Sequence, residues 1–184
     1  MKGFWVVYRK ELYRLFASPI FYVVAFIFLA LVGYFFYSSV AYYSLLSFQA
    51  GTNPFLSQQL NLTDMVLEPF FASISIILLL MVPLITMRLF AEEKKTGTAE
   101  LLFTYPISDR GAVLGKFGAG VSVLLLLLLG TFPAMLLLEI LTDPPWATIV
   151  GGYLGLLLMS SAFVSLGLVA SSLTENQIIA ATTA

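Results

Sequence analysis

The fold class this sequence predicts is all-α and polytopic, a membrane protein, and three observations predict it. Only 10% of its 184 residues are charged and 60% are hydrophobic, whereas about a quarter of residues are charged in ordinary soluble domains. Four stretches stay apolar for about 20 residues, the length a helix needs to cross the hydrocarbon core. All nine Lys and Arg residues lie outside these stretches and on one side of them. The expected plan is an N-terminal amphipathic helix, four transmembrane helices and the start of a fifth, forming one membrane domain over residues 1–184.

Residues 1–17 read as a helix along the membrane surface. At 100° per residue, Phe4, Trp5, Tyr8, Leu12, Leu15 and Phe16 share one face, and Lys2, Arg9, Lys10 and Arg14 share the other. The plainer alternative is a basic flank that only anchors the first span. That span is Ile20–Ala41. Its uncharged run exceeds the roughly 7 to 15 residues of a signal-peptide core, so a retained span is expected here although Ser39, Val40 and Ala41 faintly resemble a cleavage site. Pro69–Met87, Phe117–Leu138 and Trp146–Leu173 are the next three spans. The tail turns apolar again after Gln177 but is too short to cross, so the chain is expected to end inside a fifth span and to be a fragment.

Orientation follows from charge. Lys2, Arg9, Lys10 and Arg14 precede the first span, and Arg88, Lys94, Lys95, Arg110 and Lys116 lie between the second and third. The other two loops, 42–68 and 139–145, carry no basic residue, so the N-terminus and segment 88–116 are expected in the cytoplasm. Tyr34, Tyr37, Tyr42, Tyr43 and Trp146 then fall towards the outer interface, where amphipathic rings collect.

Much chemistry is excluded. With no Cys and no His, the chain lacks disulfides, thiolate nucleophiles and the commonest metal ligand, so no catalytic residue, metal or cofactor is expected. The segment GAVLGKF is not a phosphate loop: three residues, not four, separate Gly111 from Gly115, and Phe117 stands where Ser or Thr is needed. The net charge of −1 and the placement of the basic residues give no reason to expect a nucleic-acid partner. Glu68 and Glu139 sit at the outer ends of spans and read as interfacial groups rather than an ion path. Pro83 and Pro133 each remove a helical hydrogen bond, to Leu79 and Leu129, giving a static bend or a hinge. Gly151 with Gly155, and Ser161 with Ser165, would let the fourth span approach a neighbour closely.

Segment 88–116 is the anomaly, holding nine of the nineteen charged residues. Gly97 can close an inward extension of the second span, Thr98 can cap a short new helix, and Glu100 suits that helix's positive end. Pro106 ends it, and Ser108 or Asp109 can cap the next helix, which runs through Lys116. Leu101, Leu102 and Phe103 are left as an apolar tip. Such a tip fits a docking surface for another protein and fits a dip into lipid headgroups equally well.

The succession Arg88, Glu92-Glu93, Gly97-Thr98, Glu100-Leu101-Leu102, Pro106 and Gly115-Lys116 resembles the first cytoplasmic loop of type-2 ABC transporter permeases. The SPIFY segment at Ser18–Tyr22 and SLTENQI at Ser172–Ile178 are similar to the gliding-motility branch of that family. The resemblance implies that 1–17 is the elbow helix and that about Glu92 to Phe103 forms a coupling helix. The coupling residues would be Glu92, Glu93, Gly97, Thr98, Glu100, Leu101, Leu102 and Phe103, seated in a cleft of a separate cytoplasmic ABC ATP-binding subunit. It further implies a second permease subunit, identical or different, a bacterial cytoplasmic membrane, and ATP hydrolysis by the partner driving transport, export being the expected direction. The chain would itself be no enzyme. A non-transporting scaffold whose loop recruits a cytoplasmic complex is the alternative. An intramembrane enzyme is the weakest reading, since no nucleophile, acid cluster or ligand set meets within the spans.

Overall fold

A computed structural model describes residues 2–51, 60–95 and 109–173. Their regular elements are helices: α1 (Lys2–Ala17), α2 (Pro19–Ala50), α3 (Glu68–Lys95), α4 (Asp109–Leu141) and α5 (Trp146–Leu173), with a π-helical turn, Thr63–Leu67, leading into α3. The four helices α2 to α5 are long and apolar enough to cross a membrane. The protein is therefore an all-α polytopic membrane protein.

The helices outrun the predicted spans. α2 has 32 residues, about 48 Å at 1.5 Å per residue, against a hydrocarbon core of about 30 Å. Hydropathy marks the stretch that lipid selects, while the backbone stays helical beyond it. As the reading of segment 88–116 expects, α3 extends past Met87 to Lys95 and α4 begins at Asp109, eight residues before the apolar run of its span. α5 coincides with its prediction because Pro144 and Pro145 sit just before it, and the carbonyl of Pro145 accepts the N–H of Thr148 and Ile149.

One residue separates α1 from α2. Ser18 is extended, at φ −79° and ψ 123°, since a residue before proline is driven out of the helical region. Pro19 then opens α2, where a missing N–H does no harm. Across this bend the rings of Phe16 and Phe21 meet edge to face with centroids 5.0 Å apart. At the far side, Asn61 organises the entry to α3: its carbonyl oxygen accepts the Thr63 N–H and its amide donates to Asp64 Oδ2, both at 3.0 Å.

Packing divides the helices unevenly. α3 lies along α5, and α1 lies along the Asp109 end of α4, while α2 touches both α3 and α4. Among the described residues α3 and α4, neighbours in sequence, barely meet. The core draws Phe28 and Val32 from α2, Phe70 and Ile74 from α3, Val123 and Leu124 from α4, and Ile149 and Val164 from α5. α3 and α4 remain helical through Pro83 and Pro133.

Candidate functional site

The buried stripe of α4 recurs every three to four residues, as helical geometry requires, and it changes character along its length. Towards Asp109 it consists of Gly111, Ala112, Gly115, Lys116 and Ala119; further on it becomes Val123, Leu124, Leu127 and Leu128. Small side chains at one end let α1 settle directly on the α4 backbone. A Cβ added at Gly115 would stand 2.9 Å from Val7 Cβ and 3.1 Å from the Tyr8 nitrogen. Such distances leave no room for a side chain, so this crossing demands glycine. Gly118, one turn on, leaves ordinary contact distances to the Tyr8 ring.

Close approach brings opposite charges together. Glu11 on α1 and Lys116 on α4 are both fully buried, and Lys116 Nζ donates to Glu11 Oε1 at 2.8 Å. Arg14, one turn further along α1 and 28% exposed, places Nη2 3.3 Å from Glu11 Oε2. A carboxylate thus sits between two cations, one shut inside and one reaching water. Each charge would be costly to bury alone, and the pair is what makes burial tolerable. Nearer the start of α1, Ser122 donates to the Gly118 carbonyl at 2.8 Å, leaving its oxygen to accept the Tyr8 hydroxyl, also at 2.8 Å.

Lys116 lies two turns inside α4, on the helix expected to start at Ser108 or Asp109; what the sequence did not show is that it has no exposed surface, because Glu11 neutralises it. Within the protein α1 buries Val7, Glu11 and Leu15, the last of these on the expected apolar face, whereas Trp5 is 64% exposed. Phe4, Tyr8, Leu12 and Phe16 are half-buried, as the periodicity predicts. Glu11 was the residue to notice, a lone acid in a basic helix, four positions from both Val7 and Leu15.

Of the residues expected to couple to a partner, Glu92 and Glu93 fall in the last turn of α3. Gly97, Thr98, Glu100, Leu101, Leu102 and Phe103 lie outside the described residues. The described ends, Lys95 and Asp109, open the interval in which those residues fall. Over residues 5–184 the chain matches the family model for the ABC-2 family transporter protein. The chain belongs to that family. No curated protein and no solved structure gives a significant match.

The ABC-2 family assignment gives the chain the part of a membrane component, the permease of an ABC transporter, which works with a partner ATP-binding subunit and is not itself the ATPase. A polar contact links two spans of this ABC-2 protein. Thr131 donates to the Leu128 carbonyl at 2.7 Å and its oxygen meets the Tyr153 hydroxyl at 2.9 Å, joining α4 to α5. Trp146 Nε1 donates to the exposed Glu139 at 2.9 Å. Glu68 is exposed as well. Among the described residues nothing lies within 4 Å of a Cβ built at Gly151 or Gly155, and Ser165 is exposed, so the expected stripe is not what packs α5 against α3. Gly152, under the Phe71 ring, and Gly167, against Thr86, are the glycines that bring α3 and α5 together. A crevice of about 250 Å³ opens between α4 and α5, walled by Leu125, Leu129, Phe132, Ile149, Tyr153 and Leu157.

Proposed function

We propose that this chain is the permease subunit through which a cytoplasmic ATP-binding subunit drives export across a bacterial cytoplasmic membrane, with its N-terminus in the cytoplasm. The family match over residues 5–184 carries the reading. The one-sided distribution of all nine basic residues supports the orientation. A second permease subunit, identical or different, completes the assembly. Placement in the gliding-motility branch rests on the SPIFY and SLTENQI segments.

The coupling site proposed is Glu92, Glu93, Gly97, Thr98, Glu100, Leu101, Leu102 and Phe103. Its support is their order between two helices that both run beyond the predicted spans, so that Glu92 and Glu93 stand on a projecting turn of α3. Leu101, Leu102 and Phe103 supply the apolar contact and the acids its polar surround. Leu102→Asp is expected to weaken capture of the ATP-binding subunit by tens of fold, since a buried anchor contributes about 2 kcal/mol or more, while membrane insertion continues. Normal capture and normal hydrolysis by the variant complex would remove the loop from this role. Loss of capture in a complex that never moves a solute would favour the scaffold instead.

A further inference from the structure

We propose that Glu11 and Lys116 are a positioning pair that makes α1 and α4 one moving body, so that α1 follows α4 when the transporter changes state. The inference rests on the permease reading above for what drives the motion, but the pairing itself is a property of this chain.

Apolar helix contacts within a bilayer are permissive. Lipid tails and Leu side chains offer much the same environment, so such a contact gives little resistance to sliding or rotation. An ion pair without exposed surface behaves otherwise. Shifting α1 along α4 by one residue, about 1.5 Å, would stretch the 2.8 Å contact between Lys116 and Glu11 and leave two buried charges partly uncompensated. Gly115 against Val7 fixes the separation of the two helices, and the Tyr8–Ser122 hydrogen bond, at 2.8 Å, fixes a second point along them. Three constraints on one crossing define distance, rotation and register. By contrast α3, which precedes α4 in the chain, is packed on α5 and barely on α4. A displacement of α4 relative to α3 therefore meets little direct packing, whereas a displacement of α4 relative to α1 must break the pair.

The chain has no cysteine, so paired spin labels report only the positions chosen. Labels at Tyr13→Cys and Val113→Cys, exposed sites on α1 and α4, are expected to give one narrow distance distribution in the reconstituted chain. The double variant Glu11→Leu/Lys116→Met replaces the buried ion pair with apolar side chains of similar volume, while Arg14 keeps its access to water, so it folds. It is expected to broaden that distribution about twofold while leaving Leu80→Cys to Leu158→Cys, on α3 and α5, unchanged. An unaltered Tyr13–Val113 distribution in the double variant would show ordinary packing and overturn the proposal. In the complex trapped with ATP and orthovanadate, the Tyr13–Val113 distance is expected to stay fixed while Tyr13 to Leu84→Cys shifts. A Tyr13–Val113 distance that changes on trapping would overturn it as well. Failure of the ATP-binding subunit to associate would count against the permease reading alone, because the measurement on the isolated chain decides the pairing.

Discussion

Two helix pairs in this molecule are each brought together by glycine, and they are held by different forces. Where α1 crosses α4, Gly115 meets the backbone of Tyr8, and beside it Lys116, Glu11 and Arg14 form a charge cluster with two members fully buried. Where α3 runs along α5, Gly152 meets the ring of Phe71 and Gly167 meets Thr86, whose hydroxyl is spent on the Val82 carbonyl of its own helix at 3.0 Å. The first pair is specified by electrostatics and the second by shape. A charge pair has one register, whereas shape alone tolerates compensating changes in side-chain size.

The largest effect expected is at the charge pair. Glu11→Ala strands a buried lysine and should cost about 3 to 5 kcal/mol, while Glu11→Leu/Lys116→Met should be close to neutral in stability. Thermal unfolding of the detergent-solubilised chain reads both. Equal losses in the single and double variants would mean that volume, not charge, holds the crossing.

Next come the glycines, which test the contrast directly. Gly115→Ala and Gly152→Ala should each cost about 1 to 3 kcal/mol by overpacking. Phe71→Leu should restore Gly152→Ala, because the atoms in the way are the far atoms of a ring. No truncation should restore Gly115→Ala, because the Tyr8 backbone nitrogen is in the way. Rescue of Gly115→Ala by a smaller residue at position 7 would erase this difference between the two interfaces.

The position of these glycines also marks what could be read beforehand. Gly151 and Gly155 have the spacing of a helix-packing motif and yet face outward; the working glycine is their neighbour, Gly152. A span that is apolar all round carries no rotational signal, since lipid and protein core select the same side chains. The α1 helix is different because it is amphipathic. Its half-buried residues Phe4, Tyr8, Leu12 and Phe16 and its buried Leu15 lie on the face that periodicity assigned, while the burial of Val7 and Glu11 was not anticipated.

Smaller effects should follow from the hydroxyls. Tyr8→Phe and Tyr153→Phe each remove one interhelical hydrogen bond, worth about 0.6 kcal/mol in membrane proteins, and leave no orphan, since Ser122 and Thr131 keep their backbone acceptors. The smallest change is expected at Gly118, Gly151 and Gly155, where alanine should stay within about 0.5 kcal/mol of the parent. A large loss at Gly155 in the isolated chain would show that its outward face is packed after all.

The four spans of the described residues, the one-sided charge and the bend at Ser18-Pro19 were determined by the sequence itself. Each depends on local quantities: transfer free energy summed over about 20 residues, the exclusion of Lys and Arg from hydrocarbon, and the steric demand of a proline on the residue before it. Tertiary structure decided which face of each span turns inward, that α3 pairs with α5 rather than with its chain neighbour α4, and that Lys116 answers Glu11 across 105 positions. These are relations between distant segments, and the free energy of a buried pair belongs to neither residue until the backbones have met.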